Sequence, residues 1–252
     1  MENISEFLGL PKSCYINARV PKKTFTDNPE FDLRKEEKSI LKDEIKSIYF
    51  EYSLKPVILN IPKYEDDNVR YEEIEILKVK INNENKCNKV CELLQKYIQY
   101  PMIIIIECNN SIRINAAIKK INKVDSSKLL VDEMLYTDWI NKDNLKEKEL
   151  AFLESLNIKN LNTNNLFNVY EGYINSIKRF IASKYSNEFG VKSIEEISND
   201  IEVLDKINSL ENEVISLRNS IKKEINMGTK VELNVKIKRI EKEIKSLKNM
   251  LS

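Results

Sequence analysis

Two apolar stripes near the C-terminus restrict this chain more than any other feature. Ile207, Leu210, Val214, Leu217 and Ile221 form the first, and Ile237, Ile240, Ile244, Leu247 and Leu251 the second. Steps of three and four residues line one face of a helix and make a coiled-coil seam. NMGT, containing Gly228, separates the stripes, and two seams of similar length joined by a short break predict an antiparallel hairpin over about 201–252 that pairs with itself. Pairing of the same seams with a second copy, a homodimer, is the competing reading. Before them, Leu166, Val169, Tyr170, Tyr173, Ile174, Ile177 and Ile181 predict another amphipathic helix beyond the asparagine-rich KNLNTNNLF. Residues 161–252 thus read as a helical region.

Residues 1–160 read differently. Pro11, Pro21 and Pro29 among short apolar pieces suggest an extended arm without regular structure. In RKEEKSILKDEIKSIYFEYSL, Leu41, Ile45, Ile48, Tyr49 and Tyr52 recur at helical steps and predict a first helix ended by Pro56. A short strand follows at Val57 to Ile61, then YEEIEILKVKI from Tyr71 to Ile81. Alternation there places Ile74 and Ile76 on one face but Leu77, Val79 and Ile81 on the other. Either a bulge near Ile76 and Leu77 brings all five to one side, or the strand is central and buried on both faces. Cys87, Val90, Cys91, Leu94 and Ile98 predict a helix, PMIIIIEC an interior strand, Asn109-Asn110 a turn into SIRINAAIKKI, and Lys128 to Tyr136 a further strand. The expected class is α+β: a mixed sheet with flanking helices, followed by the hairpin.

The residue types exclude much chemistry. There is no histidine, which removes Ser-His-Asp and Cys-His catalysis and most catalytic zinc sites. Four glycines, none in GxxxxGK or GxGxxG, leave no phosphate-cradling loop. The four cysteines form no CxxC knuckle, and Cys87 and Cys91 in CNKVC read as small apolar residues of a reduced protein. With 41 basic and 40 acidic side chains, no global field draws the chain to nucleic acid or membrane. No apolar run is long enough to span a bilayer and MENISEFLGLP lacks the marks of a leader, so a cytoplasmic protein is expected.

Three groups are candidate sites. Asp67, Glu73 and Glu75 as Mg²⁺ ligands, with Lys78 steadying the attacking water, are the residue types of a PD-(D/E)xK nuclease. Asp66 and Lys80 are neighbouring substitutes. That motif needs acid and lysine two apart on one strand face, whereas Glu75 and Lys78 are three apart, and it needs a third strand before the second helix where two are legible. Arg19, Lys22 and Lys23 in ARVPKKTF are candidates for phosphate contact, with Phe25 stacking on a base, against the reading of a solvated basic loop. Trp139 in YTDWI is either a partner anchor or the closing edge of a core. Without the nuclease reading no cofactor is expected.

Separated blocks add a resemblance: LGLP at Leu8 to Pro11, RVPKKTF at Arg19 to Phe25, EIKSIYFEYSLKP at Glu44 to Pro56, EIEILKVKI at Glu73 to Ile81, YPMIIII at Tyr100 to Ile106, YTDW at Tyr136 to Trp139, and KVELNVKIKRIEKEI near the end. In this order they resemble the bacterial family called domain of unknown function 4391. The resemblance implies genes commonly beside Snf2-type or DEAD-box helicases and DNA methyltransferases, and hence a restriction-like or anti-phage system. It brings no reaction with it. The expected function is a non-catalytic adaptor of such a DNA-processing complex, binding a helicase or methyltransferase through Trp139 and the hairpin residues Ile237, Ile240, Ile244 and Leu247. A divergent Mg²⁺-dependent nuclease is the alternative.

Overall fold

A computed structural model describes residues 4–186, 194–224 and 226–250. Its elements in chain order are β1 (Tyr15–Arg19), α1 (Lys23–Thr26), α2 (Lys35–Ser39), β2 (Ile45–Leu54), α3 (Pro56–Leu59), β3 (Tyr64–Glu65), β4 (Arg70–Tyr71), β5 (Ile74–Ile81), α4 (Cys87–Tyr97), β6 (Met102–Cys108), β7 (Ser111–Ile121), β8 (Leu129–Tyr136), β9 (Ile140–Asn141), α5 (Glu147–Ser155), α6 (Leu166–Ser186), α7 (Ile194–Lys223) and α8 (Met227–Met250). They make a mixed α+β protein that divides into two compact units, Met1–Ile177 and Lys178–Ser252.

In the first unit the described residues place seven strands in one sheet, in the order β1-β2-β5-β6-β7-β8, with β9 also pairing β7. The β5–β6 pair is parallel, joined by α4, and the other pairs are antiparallel. Leu77, Val79, Ile81, Ile104 and Ile106 of one face pack with Val90, Cys91, Leu94 and Tyr97 of α4 and with Phe25, Leu33 and Leu41. Each such side chain, fully buried, contributes about 1.5–3 kcal/mol over exposure. Under α4 the Gln95 amide donates to Asn115 Oδ1 at 3.0 Å and to the Met102 carbonyl at 3.3 Å, so the polar groups of this layer join β6 and β7 to the helix. Ile74, Ile76, Ile103 and Ile105 fill the opposite face and are also buried. The Tyr170 hydroxyl of α6 donates within the sheet, 2.8 Å from the Ala117 carbonyl and 3.0 Å from that of Met102.

Three expectations need correction. The helix expected from RKEEKSILK through Leu54 is helical only to Glu44 and then becomes β2. Extra residues at Lys46 and Glu51 shift the β2 register against β5; these bulges turn a two-residue period into steps of three and four, which mimic a helix. Val57 to Ile61 is not a strand: Pro56 opens the short α3, Asn60 closes it at φ 55°, and Val57 is 91% exposed. The N-terminal arm does have regular structure, since β1 is the edge strand and Phe25 lies in the core at 1% exposure.

The second unit contains the hairpin. Ile207 and Val214 of α7 pack with Ile237, Ile240, Ile244 and Leu247 of α8, with Leu210, Leu217 and Ile221 at the margins. Leu251 lies outside the described residues. Lys206–Glu243 at 2.9 Å, Lys236–Glu213 at 2.8 Å, and Arg218–Glu241 and Lys248–Glu211 at 2.7 Å flank the seam and fix its antiparallel register. Each exposed pair adds less than about 1 kcal/mol. Gly228 is not the break: it sits in the first turn of α8, where Asn226 Oδ1 accepts from the Gly228 and Thr229 amides.

Candidate functional site

Within β5 the register runs unbroken from Glu75 to Lys80 against β6, and strands flank it on both sides. The phase change is therefore the mark of a central strand buried on both faces in its middle; the bulge belongs to Glu51 of β2. Alternation then puts Glu75 and Lys78 on opposite faces.

The residues expected to share a metal fall into separate groups. Glu75, at 5% exposure, accepts from Ser53 Oγ at 2.6 Å, and its other carboxyl oxygen is buried without a partner. Burial pushes its pKa up to about 7, with the nearby Glu73 charge adding to the shift and the Ser53 bond opposing it. Glu73 pairs with Lys55 at 3.1 Å. It borders a cleft of about 250 Å³ lined also by Arg70, Gln99, Tyr100 and Ser127. Asp67 is exposed in the β3–β4 turn, where Asp66 accepts from the Asn68 and Val69 amides. Lys78 instead lies 3.4 Å from Glu107 and 4.0 Å from Glu51. Among the described residues no three His, Cys, Asp or Glu side chains converge in a way that could hold a metal ion. Asp67, Glu73 and Glu75 do not fit a shared Mg²⁺. Three strands of the sheet, β1, β2 and β5, precede α4, where two were legible in the sequence.

Sequence reasoning missed the ionic group around Glu107. Lys78, Lys80 and Lys142 approach it at 3.4, 3.5 and 3.7 Å, while one oxygen of Glu51 is buried without a hydrogen bond. Glu51 and Glu107 each stand in a run of apolar strand residues, the one signal that marks such a group in advance. Chemically it is a charge-compensated cluster: three ammonium groups surround one largely buried carboxyl group.

The basic arm is partly committed elsewhere. Lys22 Nζ donates to the Lys42 carbonyl at 2.9 Å, Lys23 is exposed in α1, and Arg19 ends β1 opposite Tyr49. Phe25 is buried and does not offer a stacking face. Trp139 is half-buried against the α4-side core. All four cysteines are buried free thiols. Ile237, Ile240, Ile244 and Leu247 are spent on the hairpin's own seam.

A mixed α+β sheet unit followed by a self-paired helical hairpin is thus the class of protein that the geometry defines. The chain belongs to the family described as Domain of unknown function (DUF4391), whose model matches residues 8–244. No curated protein and no solved structure matches it. No helix among the described residues is long and apolar enough to cross a membrane.

Proposed function

We propose that this chain is a non-catalytic accessory subunit of a cytoplasmic bacterial DNA-processing complex, restriction-like or anti-phage, which docks through the α7–α8 hairpin. The partner in this reading is a helicase or DNA methyltransferase, a second copy of the chain being the other candidate. The observation that carries it is that the hairpin, together with the last turns of α6, makes a compact unit with its own core, in which the seam residues are consumed by one another. A hairpin that completes its own core leaves its outward faces for other molecules. The DNA-processing setting follows from the family resemblance. Tagged full-length chain, purified from its native host with nuclease treatment and a moderate-salt wash, tests the reading by mass spectrometry. A stoichiometric helicase or methyltransferase supports it, and a solitary chain sinks it.

The alternative, a divergent nuclease, would need a metal site other than Asp67, Glu73 and Glu75. A Mg²⁺- or Mn²⁺-dependent DNA cleavage assay of the wild type tests it, and absence of cleavage would end it.

A further inference from the structure

The two outward faces of the hairpin differ in chemistry. On α7 the positions opposite the seam are, among the described residues, mostly Asn208, Asn212 and Asn219, exposed and uncharged, with a single large apolar residue, Ile215 at 56% exposure, and Lys222 and Lys223 only at the helix end. On α8 they are Met227, Val231, Val235, Lys238, Lys242 and Lys245, again at steps of three and four. Met227, Val231 and Val235 are 71, 58 and 63% exposed, a cluster of large apolar side chains that a solvated helix has no reason to align. The three lysines continue the same stripe, also exposed.

Charge sorting makes this face cationic. The acids Glu241 and Glu243 turn toward α7 and are neutralised by Arg218 and Lys206, while Lys236 and Lys248 answer α7 acids. Lys238, Lys242 and Lys245 have no ionic partner among the described residues. The stripe runs about 27 Å, some five helical turns.

We infer that the outward face of α8 is the docking site for one acidic amphipathic helix of a protein partner, an inference that rests on the hairpin-docking reading. The partner helix sets apolar side chains on Met227, Val231 and Val235 and carboxylates on Lys238, Lys242 and Lys245. Charge complementarity chooses the acid, and the aliphatic half of the stripe chooses protein over a nucleic-acid backbone, which offers phosphates along its whole length and little to bury aliphatic groups.

The test uses the tagged full-length chain in its native host, with zero-length amine-to-carboxyl cross-linking of the nuclease-treated complex. Four forms are compared: wild type, Lys238→Glu/Lys242→Glu/Lys245→Glu, Val231→Ser/Val235→Ser, and the α7-face control Asn212→Arg/Asn219→Arg, each checked for unchanged helix content by circular dichroism. The expected result is cross-links from the three lysines to Asp or Glu spaced three and four apart in one partner segment. Recovery of that partner should fall at least tenfold in the charge reversal, several-fold in the serine pair, and not in the control. Retention by the charge reversal overturns the inference. So does loss of the partner on nuclease treatment, or binding of a labelled 20-base-pair duplex that the reversal abolishes, either of which would assign the face to nucleic acid. A partner lost only in the α7 control leaves hairpin docking standing while this face falls. A partner indifferent to both faces and cross-linked to the sheet unit removes the hairpin reading itself.

Discussion

Ser53 of β2 donates a 2.6 Å hydrogen bond to Glu75 of β5, and this is the one hydrogen bond the buried carboxyl group receives among the described residues. Because burial lifts the Glu75 pKa from 4.5 to about 7, the folded protein holds a proton that the unfolded chain has released. Stability should therefore fall as pH rises from 4.5 to 7 and level off above. Glu75→Gln keeps an acceptor for Ser53 and removes the titration. The variant should gain about 2 kcal/mol on the wild type between pH 5 and 8, read by urea unfolding. Parallel pH curves for the two proteins would refute this account of Glu75.

Lys119 predicts the opposite slope. Its ammonium lies within β7 under the end of α4, donating to the Ile98 carbonyl at 2.7 Å and the Tyr100 carbonyl at 2.8 Å. Burial lowers its pKa from 10.5 to about 7, so above pH 7 the unfolded chain binds the extra proton and stability rises toward pH 10. Lys119→Met should abolish that rise, on the order of 2 kcal/mol, while costing stability at pH 6 through the two carbonyls left unpaired. Equal slopes in both proteins from pH 7 to 9.5 would show that Lys119 does not titrate there.

Glu37 anchors the N-terminal segment to α4. Burial alone would raise its pKa, but hydrogen bonds from Lys96, from the Arg34 backbone and side chain and from Tyr97 outweigh it and bring the value down to about 2. The stabilisation is present above pH 4.5 and is lost as pH falls toward 2. Glu37→Gln should cost about 2 kcal/mol at pH 6, and the difference from wild type should shrink as the medium is acidified to pH 2.5. A constant difference over that range contradicts the prediction.

The hairpin core should be separable by spectroscopy. Trp139 lies in the first unit and Ile240 in the seam of the second. Ile240→Asp, which buries an unpaired charge at a position 6% exposed, should lower the midpoint of the helical signal by the equivalent of 3 kcal/mol or more, on the order expected for such a substitution. The Trp139 fluorescence midpoint should stay in place. Coincident shifts of both signals would mean that the units unfold together.

Where one rule governed the chain, the sequence was readable. The isoleucines of β6, the stripe of α4 and the twin seams each obey a single period and fold accordingly. β2 was hidden because Lys46 and Glu51 break its alternation, and β1 because an exposed edge strand has no buried face to betray it. At the candidate site, the separation of Glu75 from Lys78 was already implied by alternation. The gathering of Lys78, Lys80 and Lys142 on Glu107 was not, because it joins two strands and a turn whose neighbours only topology decides. On α8, basic and acidic residues alternate too closely for the sequence to sort, and only pairing with α7 tells inward charges from outward ones.

β1 ends the sheet on one side, and Asn17 in its middle adopts the left-handed backbone, φ 49°, where its register with β2 slips. A strand kinked in this way does not present the even row of amides and carbonyls onto which another chain would zip. The opposite border, β8, sets Asp132 and Glu133 side by side. Both margins thus discourage growth of the sheet into a ribbon by edge-to-edge pairing of copies.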